Sequence, residues 1–354
     1  MKKKFIKAKK INDFFINVLS ILKVSSKDRN LLIKSLIGSS LRGVDSHGIR
    51  LFPHYVKGLE GGRINNKPKM FFKKTLPATG ILDADDGFGH VASYLASKEA
   101  VKLAKKNGVG IVGIKNSSHN GAAGAYTLAM AEEGFIGFSF THSDAFAIPH
   151  NGIYPFHGTN PYAFSAPLKG QKPLLVDFAS TNIPWNKVHR AKNNKMKLDN
   201  DLALDENGKM TNDPNKAKSL FPLGGETFGH KGFGLSSSIE VLCGPFLGIA
   251  HGFRLLPMMQ SDFSTPRKIG HLVMAINIEA ITSKEKYYSN MSNYLRDLKK
   301  QKSNKKIILY PGEKEWIEEK LRIKKGIPFD IELVSSFLEI DKKYKLNYFN
   351  ELIN

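Results

Sequence analysis

Between Thr79 and Thr141 the chain alternates short apolar runs with stretches of helical periodicity, and no other feature constrains its fold as tightly. Residues 80–84 read as a strand, 91–106 as a helix, 110–114 as a buried strand, 122–133 as a helix and 135–141 as a strand. Runs of buried-strand length exchanging with helical periodicity demand a sheet with helices laid on it, an α/β core. Further strands are expected at 162–166, 174–178 and 271–278, with a helix from Gly234 to about Leu247.

Inside this core, Gly108-Val109-Gly110-Ile111-Val112-Gly113 matches the dinucleotide-binding fingerprint as a string of letters. The context is wrong. A Rossmann glycine turn follows a strand and opens a helix whose N-terminal amides meet the pyrophosphate. Here a helix precedes the glycines and Ile111, Val112 and Ile114 follow, so the segment is itself a strand whose glycines permit close packing. A nicotinamide cofactor would have to bind on another scaffold.

Helical patterns flank the core. Ile11, Phe14, Phe15, Val18, Leu19 and Leu22 recur at helical spacing, and Ser25-Ser26-Lys27-Asp28 caps a second helix carrying Leu31, Leu32 and Leu36. Around Gly61-Gly62 and Pro68 the pattern breaks into a loop. Near the other end Thr282-Ser283-Lys284-Glu285 opens a helix, residues 307–310 are extended before Pro311-Gly312-Glu313, and terminal helices follow.

With 354 residues, 41% of them hydrophobic, the chain can bury a large core split over two domains. The formal charge of +21 raises the question of nucleic acid. Lysines are spread along the whole chain, however, and no RNA- or DNA-binding signature accompanies them, so the charge reads as a lysine-rich surface with a bias toward small anions and no nucleic-acid partner. The single cysteine, Cys243, sits in an apolar run far from any base; it reads as a buried, inert thiol, which fits a cytoplasmic location. Met1-Lys2-Lys3-Lys4 is not followed by the apolar stretch of a signal peptide, and nothing approaches the roughly 20 apolar residues of a membrane span. Among the 11 histidines there is no metal-binding spacing, so no metal is expected, and no GxSxG elbow supports a hydrolase.

The chemistry concentrates in separated motifs. Ser46-His47-Gly48 is followed by Ile49-Arg50, and a second histidine stands in Ser118-His119-Asn120-Gly121. An imidazole beside a hydroxyl and a guanidinium offers a proton and a carboxylate clamp, the two things that reduction of a 2-oxo acid requires. Asp177 ends the apolar strand Leu174-Leu175-Val176, at a strand edge where α/β ligands gather, and Lys231 lies before the expected helix at Gly234.

Arg42-Gly43-Val44-Asp45-Ser46-His47-Gly48, Gly108-Val109 leading to Ser118-His119-Asn120-Gly121, Gly158-Thr159-Asn160-Pro161, Asp177-Phe178-Ala179-Ser180-Thr181, His230-Lys231-Gly232-Phe233-Gly234 and Tyr310-Pro311-Gly312-Glu313 together, nearly end to end, resemble the malate/L-lactate dehydrogenase family. This is the non-Rossmann group that includes ureidoglycolate dehydrogenase and diketogulonate reductase. The resemblance implies a three-layer α/β core with a mixed seven-stranded sheet, plus a helical domain built from both termini. With it go domains at 1–78 with 283–354 (helical) and 79–282 (cofactor-binding).

It further implies an NAD- or NADP-dependent oxidoreductase acting on a small 2-hydroxy or 2-oxo acid, and a homodimer. His119 and His47 would supply the proton, with Ser46 beside them, and Arg50, Thr159 and Asn160 would hold substrate. Ser143, Asp177, Phe178, Ala179, Lys231, Gly232, Pro311, Gly312 and Glu313 would touch the cofactor. Two places depart from the family pattern. Relatives carry arginine where this chain has Leu51, and one residue of offset turns a helical side chain by about 100°. Relatives also often have glycine before the lysine of Trp185-Asn186-Lys187. The displaced arginine gives the alternative, a non-catalytic small-molecule-binding member of the same fold.

Overall fold

A computed structural model of the protein describes residues 4–258, 262–303 and 307–349. Seven strands form one mixed sheet in the order Phe71–Leu76, Thr79–Asp83, Val109–Ser117, Ile269–Asn277, Phe135–Thr141, Tyr162–Leu168, Gln171–Phe178. Only Thr79–Asp83 and Val109–Ser117 run parallel; every other neighbouring pair is antiparallel. A parallel pair needs a crossover, and the helix Gly89–Asn107 provides it.

The sheet is covered on both faces, which makes three layers. On one face the helix Gly89–Asn107 packs Ala92, Ala96 and Ala100 against Val112, Ile114 and Val273, beside the helix Gly124–Glu132. On the other, the helix Gly225–Cys243 sets Ile239 and Cys243 on Leu272, and the helix Lys284–Lys299 sets Leu295 on Ala166 and Leu174. Successive residues Leu272 and Val273 thus serve opposite layers, as strand alternation dictates. Gly110 shows why the fingerprint glycines are where they are: a Cβ there would lie 2.0 Å from the carbonyl oxygen of Ala100. It is a packing glycine between strand and helix, in a strand and not in a phosphate-binding turn.

Most sequence expectations hold to within a few residues, including the caps. The Ser25 and Ser283 side chains accept hydrogen bonds from the Asp28 and Lys286 amides. Three do not hold. The helix expected from Gly234 begins at Gly225, so Lys231 and Gly232 lie inside it and not before it. No strand forms at 307–310; its residues lead directly into the turn at Pro311. The sheet starts before residue 79, with the edge strand Phe71–Leu76.

A second apolar cluster joins the two termini. The helices Ala8–Ile21, Ser26–Leu41, Phe52–Glu60 and Ile331–Tyr344 bury Phe14, Phe15, Phe52 and Phe337 together, with the Phe15 and Phe52 rings stacked at 3.7 Å. The strands Lys4–Ile6 and Ile327–Phe329 pair antiparallel and tie the chain ends. The helix Lys284–Lys299 joins the sheet and not this cluster.

Candidate active site

The stretch after the helix Ser26–Leu41 forms two 3-10 turns, Asp45–His47 and Ile49–Leu51, before the helix Phe52–Glu60. It meets the loop that follows the strand Val109–Ser117. The His47 and His119 rings stack with centroids 5.8 Å apart, so histidines 72 positions apart in sequence share one site. Ser46 Oγ lies 2.8 Å from His47 Nδ1. His119 Nδ1 is 2.7 Å from the Tyr55 hydroxyl and accepts the Gly121 N–H at 3.3 Å.

Further imidazoles surround the pair. His90 is fully buried with its ring 4.9 Å from Tyr55, edge to face, and 6.4 Å from His119. Burial lowers His47 to a pKa of about 4 and His90 to about 3, the latter helped by the charge of His47. His119 is held well below the usual value, first by burial and then by the neighbouring His47, His90, Arg267 and His54. The cluster is therefore neutral near pH 7.

Arg50 turns away from this site. Its guanidinium is held by Asp330, the N-cap of the helix Ile331–Tyr344, and reaches Glu332 at 3.5 Å. Arg50 thus ties the turn Ile49–Leu51 to the start of the C-terminal helix. The cation that instead bears on the histidines is Arg267, almost fully buried, paired with Asp144 and donating to the Leu256 carbonyl. Arg267 and Tyr55 carry no motif signal; a tyrosine on the buried face of the helix Phe52–Glu60 needs a hydroxyl partner, and that was the available clue.

Ser143, Thr159 and Asn160 come together as expected but are occupied with one another. Ser143 Oγ accepts the Thr159 N–H at 3.0 Å, and Asn160 Oδ1 accepts the Ser143 N–H at 3.1 Å. The buried Asn160 amide also donates to Glu240 at 2.7 Å and to the Ser236 carbonyl at 3.2 Å. Asn160 therefore braces two loops. The contacts continue outward: Ser180 N–H donates to the Thr159 carbonyl, Leu223 N–H to the Ser180 carbonyl, and Gly232 N–H to the Leu223 carbonyl.

Gly232 packs so closely on Leu223 that a Cβ would lie 2.3 Å from its nitrogen. Lys231 beside it is exposed, with its ammonium 5.2 Å from the Phe228 ring centre. Asp177 accepts the Gly124 N–H at 2.8 Å, at the start of the helix that follows the His119 loop. Phe178 is part-exposed with its ring 5.5 Å from Tyr162, and Ala179 is half-buried next to it. Pro311 and Gly312 dock on the same strand, the Pro311 carbonyl accepting the Leu175 N–H at 3.0 Å. Glu313 pairs with Lys299 and accepts the Tyr310 N–H. The Pro311-Gly312-Glu313 turn thus starts the helix Glu313–Lys325 and lies against Leu175.

A nicotinamide dinucleotide fits this donor set. Lys231 offers an exposed cation for phosphate, Phe178 an exposed aromatic face, and Asp177 a carboxylate able to accept from a ribose hydroxyl. Among the described residues no group of three or more His, Cys, Asp or Glu side chains is arranged to hold a metal ion. Cys243 is buried, and burial raises its thiol pKa. A groove of about 380 Å³ lined by Lys27, Tyr94, Lys98, Met130 and Glu133 includes none of the site residues named above.

A non-Rossmann sheet with paired histidines at one rim defines a dehydrogenase of the three-layer α/β kind. The family model for malate/L-lactate dehydrogenase matches residues 6–337. The chain is 35% identical over 338 residues to a malate dehydrogenase of Pyrococcus abyssi, covering 93% of this chain and 92% of that protein. It is 33% identical to the ureidoglycolate dehydrogenase (NAD(+)) of Escherichia coli K12, covering 88% of each. The structure of sulfolactate dehydrogenase from Methanocaldococcus jannaschii superposes with a TM-score of 0.89 at 31% identity, covering 98% of this chain and 99% of that one. The chain belongs to the malate/L-lactate dehydrogenase family.

Proposed function

We propose that the protein is an NAD(P)-dependent 2-hydroxyacid dehydrogenase, interconverting a small 2-hydroxy acid of malate, lactate, sulfolactate or ureidoglycolate type and its 2-oxo acid. The observation that carries this reading is the neutral His47 and His119 pair, 5.8 Å apart beside a surface that suits a dinucleotide. Relatives whose names state a cofactor use NAD(+) or NADP(+). When bound, the reduced nicotinamide supplies the hydride.

The chain's own residues handle the oxygen and the carboxylate. Hydride arrival at the 2-oxo carbon builds negative charge on its oxygen, which a positioned imidazole N–H stabilises as a hydrogen-bond donor, by roughly 10²- to 10³-fold, while the proton that completes the 2-hydroxy acid is taken up from water through the histidine pair. His119, with Nδ1 already accepting, offers Nε2–H for this; His47, next to the Ser46 hydroxyl, is the second group within reach. With Arg50 engaged elsewhere, the buried Arg267 supplies the positive field that favours an anionic substrate beside His119. Ser143, Thr159 and Asn160 hold the loops in register, and Asp177, Phe178, Ala179, Lys231, Gly232, Pro311, Gly312 and Glu313 border the cofactor.

Among the described residues no helix is long and apolar enough to cross a membrane. A cytoplasmic homodimer completes the reading, and sedimentation of the purified protein tests the dimer. The activity is tested by mixing the protein with NADH or NADPH and a panel of 2-oxo acids and following the nicotinamide absorbance. Loss of absorbance with at least one acid is the expected result. Binding of cofactor without turnover on any acid would favour the non-catalytic alternative, which the diversion of Arg50 to Asp330 supports.

A further inference from the structure

Tyr55 sits at 0% exposure on the helix Phe52–Glu60, its ring edge-on to Phe88 at 6.2 Å and to His90 at 4.9 Å. Its hydroxyl is 2.7 Å from His119 Nδ1, the shorter of two contacts that this nitrogen receives. The other comes from the Gly121 backbone N–H at 3.3 Å. A backbone amide can only donate, so Nδ1 must present its lone pair. The tyrosine hydroxyl must then donate as well, and the ring proton stays on Nε2. Gly121 can aim its N–H back at His119 because it adopts φ +70°, and a Cβ there would meet His90 Nε2 at 2.6 Å. Two donors from different elements therefore converge on one ring nitrogen.

We propose that Tyr55 is a positioning residue which, with the Gly121 amide, fixes His119 as the neutral Nε2–H tautomer, so that this histidine meets substrate oxygen as a hydrogen-bond donor. The proposal rests on the dehydrogenase reading for its consequence but not for its geometry. A donor to the lone pair stabilises the unprotonated ring, in the same direction as burial and as the charges of His47, His90, Arg267 and His54 that face it. A donor-only His119 leaves His47, whose tautomer is not fixed by its Ser46 contact, as the group able to accept a proton.

The test is Tyr55→Phe, which keeps the ring and its packing and removes only the hydroxyl. In histidine labelled with nitrogen-15, the His119 resonances are assigned by comparison with His119→Asn. The wild type is expected to show His119 with an unprotonated Nδ1 and protonated Nε2. The variant is expected to show both tautomers, a His119 pKa higher by about half to one unit, and, with any accepted 2-oxo acid, a kcat lower by about 10-fold with cofactor KM unchanged. A wild-type spectrum with the proton on Nδ1 overturns the proposal, and so do unchanged tautomer populations in a folded variant. Should Tyr55→Phe fail to fold, the wild-type spectrum decides alone. The tautomer is read without turnover, so a chain that reduces no 2-oxo acid would defeat the functional reading and leave this result standing.

Discussion

Arg322 grips Asp45 through both terminal nitrogens of its guanidinium, one contact measuring 3.0 Å, and donates to the Ser40 carbonyl at 2.7 Å. Asp45 immediately precedes Ser46-His47, so a helix near the C-terminus holds the turn that presents His47. A lysine cannot reproduce the fork. Arg322→Lys is expected to cost about 1–2 kcal/mol of stability and to lower kcat several-fold without changing cofactor affinity. Thermal denaturation and steady-state kinetics check this. In a double-mutant cycle with Asp45→Asn the two effects should be non-additive.

His119→Ala and His47→Ala should each reduce kcat by roughly 10² or more while the circular dichroism spectrum stays that of the parent; His119→Ala should also lose about 1–3 kcal/mol of stability through the orphaned, buried Tyr55 hydroxyl. Both are half-buried residues at the rim, so truncation leaves no large core cavity. Near-normal turnover in both variants would remove the proton-transfer role.

For Arg50 the expectation is a small effect. Its pairs with Asp330 and Glu332 are solvent-exposed, and such pairs contribute about 0–1 kcal/mol. Arg50→Lys should leave KM for the best 2-oxo acid within about two-fold, since a 10-fold change would correspond to about 1.4 kcal/mol of lost binding. A rise of that size would return Arg50 to the substrate site.

Gly110→Ala and Lys231→Ala separate packing from cofactor binding. The alanine methyl would collide with the Ala100 carbonyl 2.0 Å away and should destabilise by about 1–3 kcal/mol. Lys231 is exposed, so its removal should spare stability and raise the Kd for the dinucleotide. Calorimetric titration of both variants decides; the reverse pattern would reinstate the glycine string as a phosphate site.

The histidine cluster should make the protein acid-sensitive. The His90 pKa, about 3 in the folded chain, is depressed below its unfolded value of about 6.5. The unfolded state then binds protons first, so stability falls as pH drops from about 6.5 toward about 3, by up to about 1.4 kcal/mol per pH unit for each such residue. His90→Gln should flatten the dependence of melting temperature on pH in that window. An unchanged slope would mean that His90 is not held neutral.

What was legible in the residues followed the range of the interactions involved. Most of the helix and strand periodicity, the Ser25 and Ser283 caps and the strand character of Gly108–Gly113 depend on neighbours a few positions apart, and these appear in the fold. The start of the helix Gly225–Cys243 is not legible in the sequence because Gly225, Gly229, Gly232 and Gly234 weaken local helix propensity. Packing of Gly232 on the Leu223 backbone overrides that propensity, and it is a contact no local rule contains.

The sequence by itself determined the layered α/β architecture, the histidine motifs and the family, because those are written in local pattern and motif order. Only the tertiary structure decided which groups meet: that Arg50 serves Asp330, that Asn160 is consumed by Ser143 and Glu240, and that Tyr55 and Gly121 converge on His119. Side-chain direction and partner depend on how elements far apart in the chain pack, and the Arg50 guanidinium in the turn Ile49–Leu51 finds its partner in Asp330, 280 positions away.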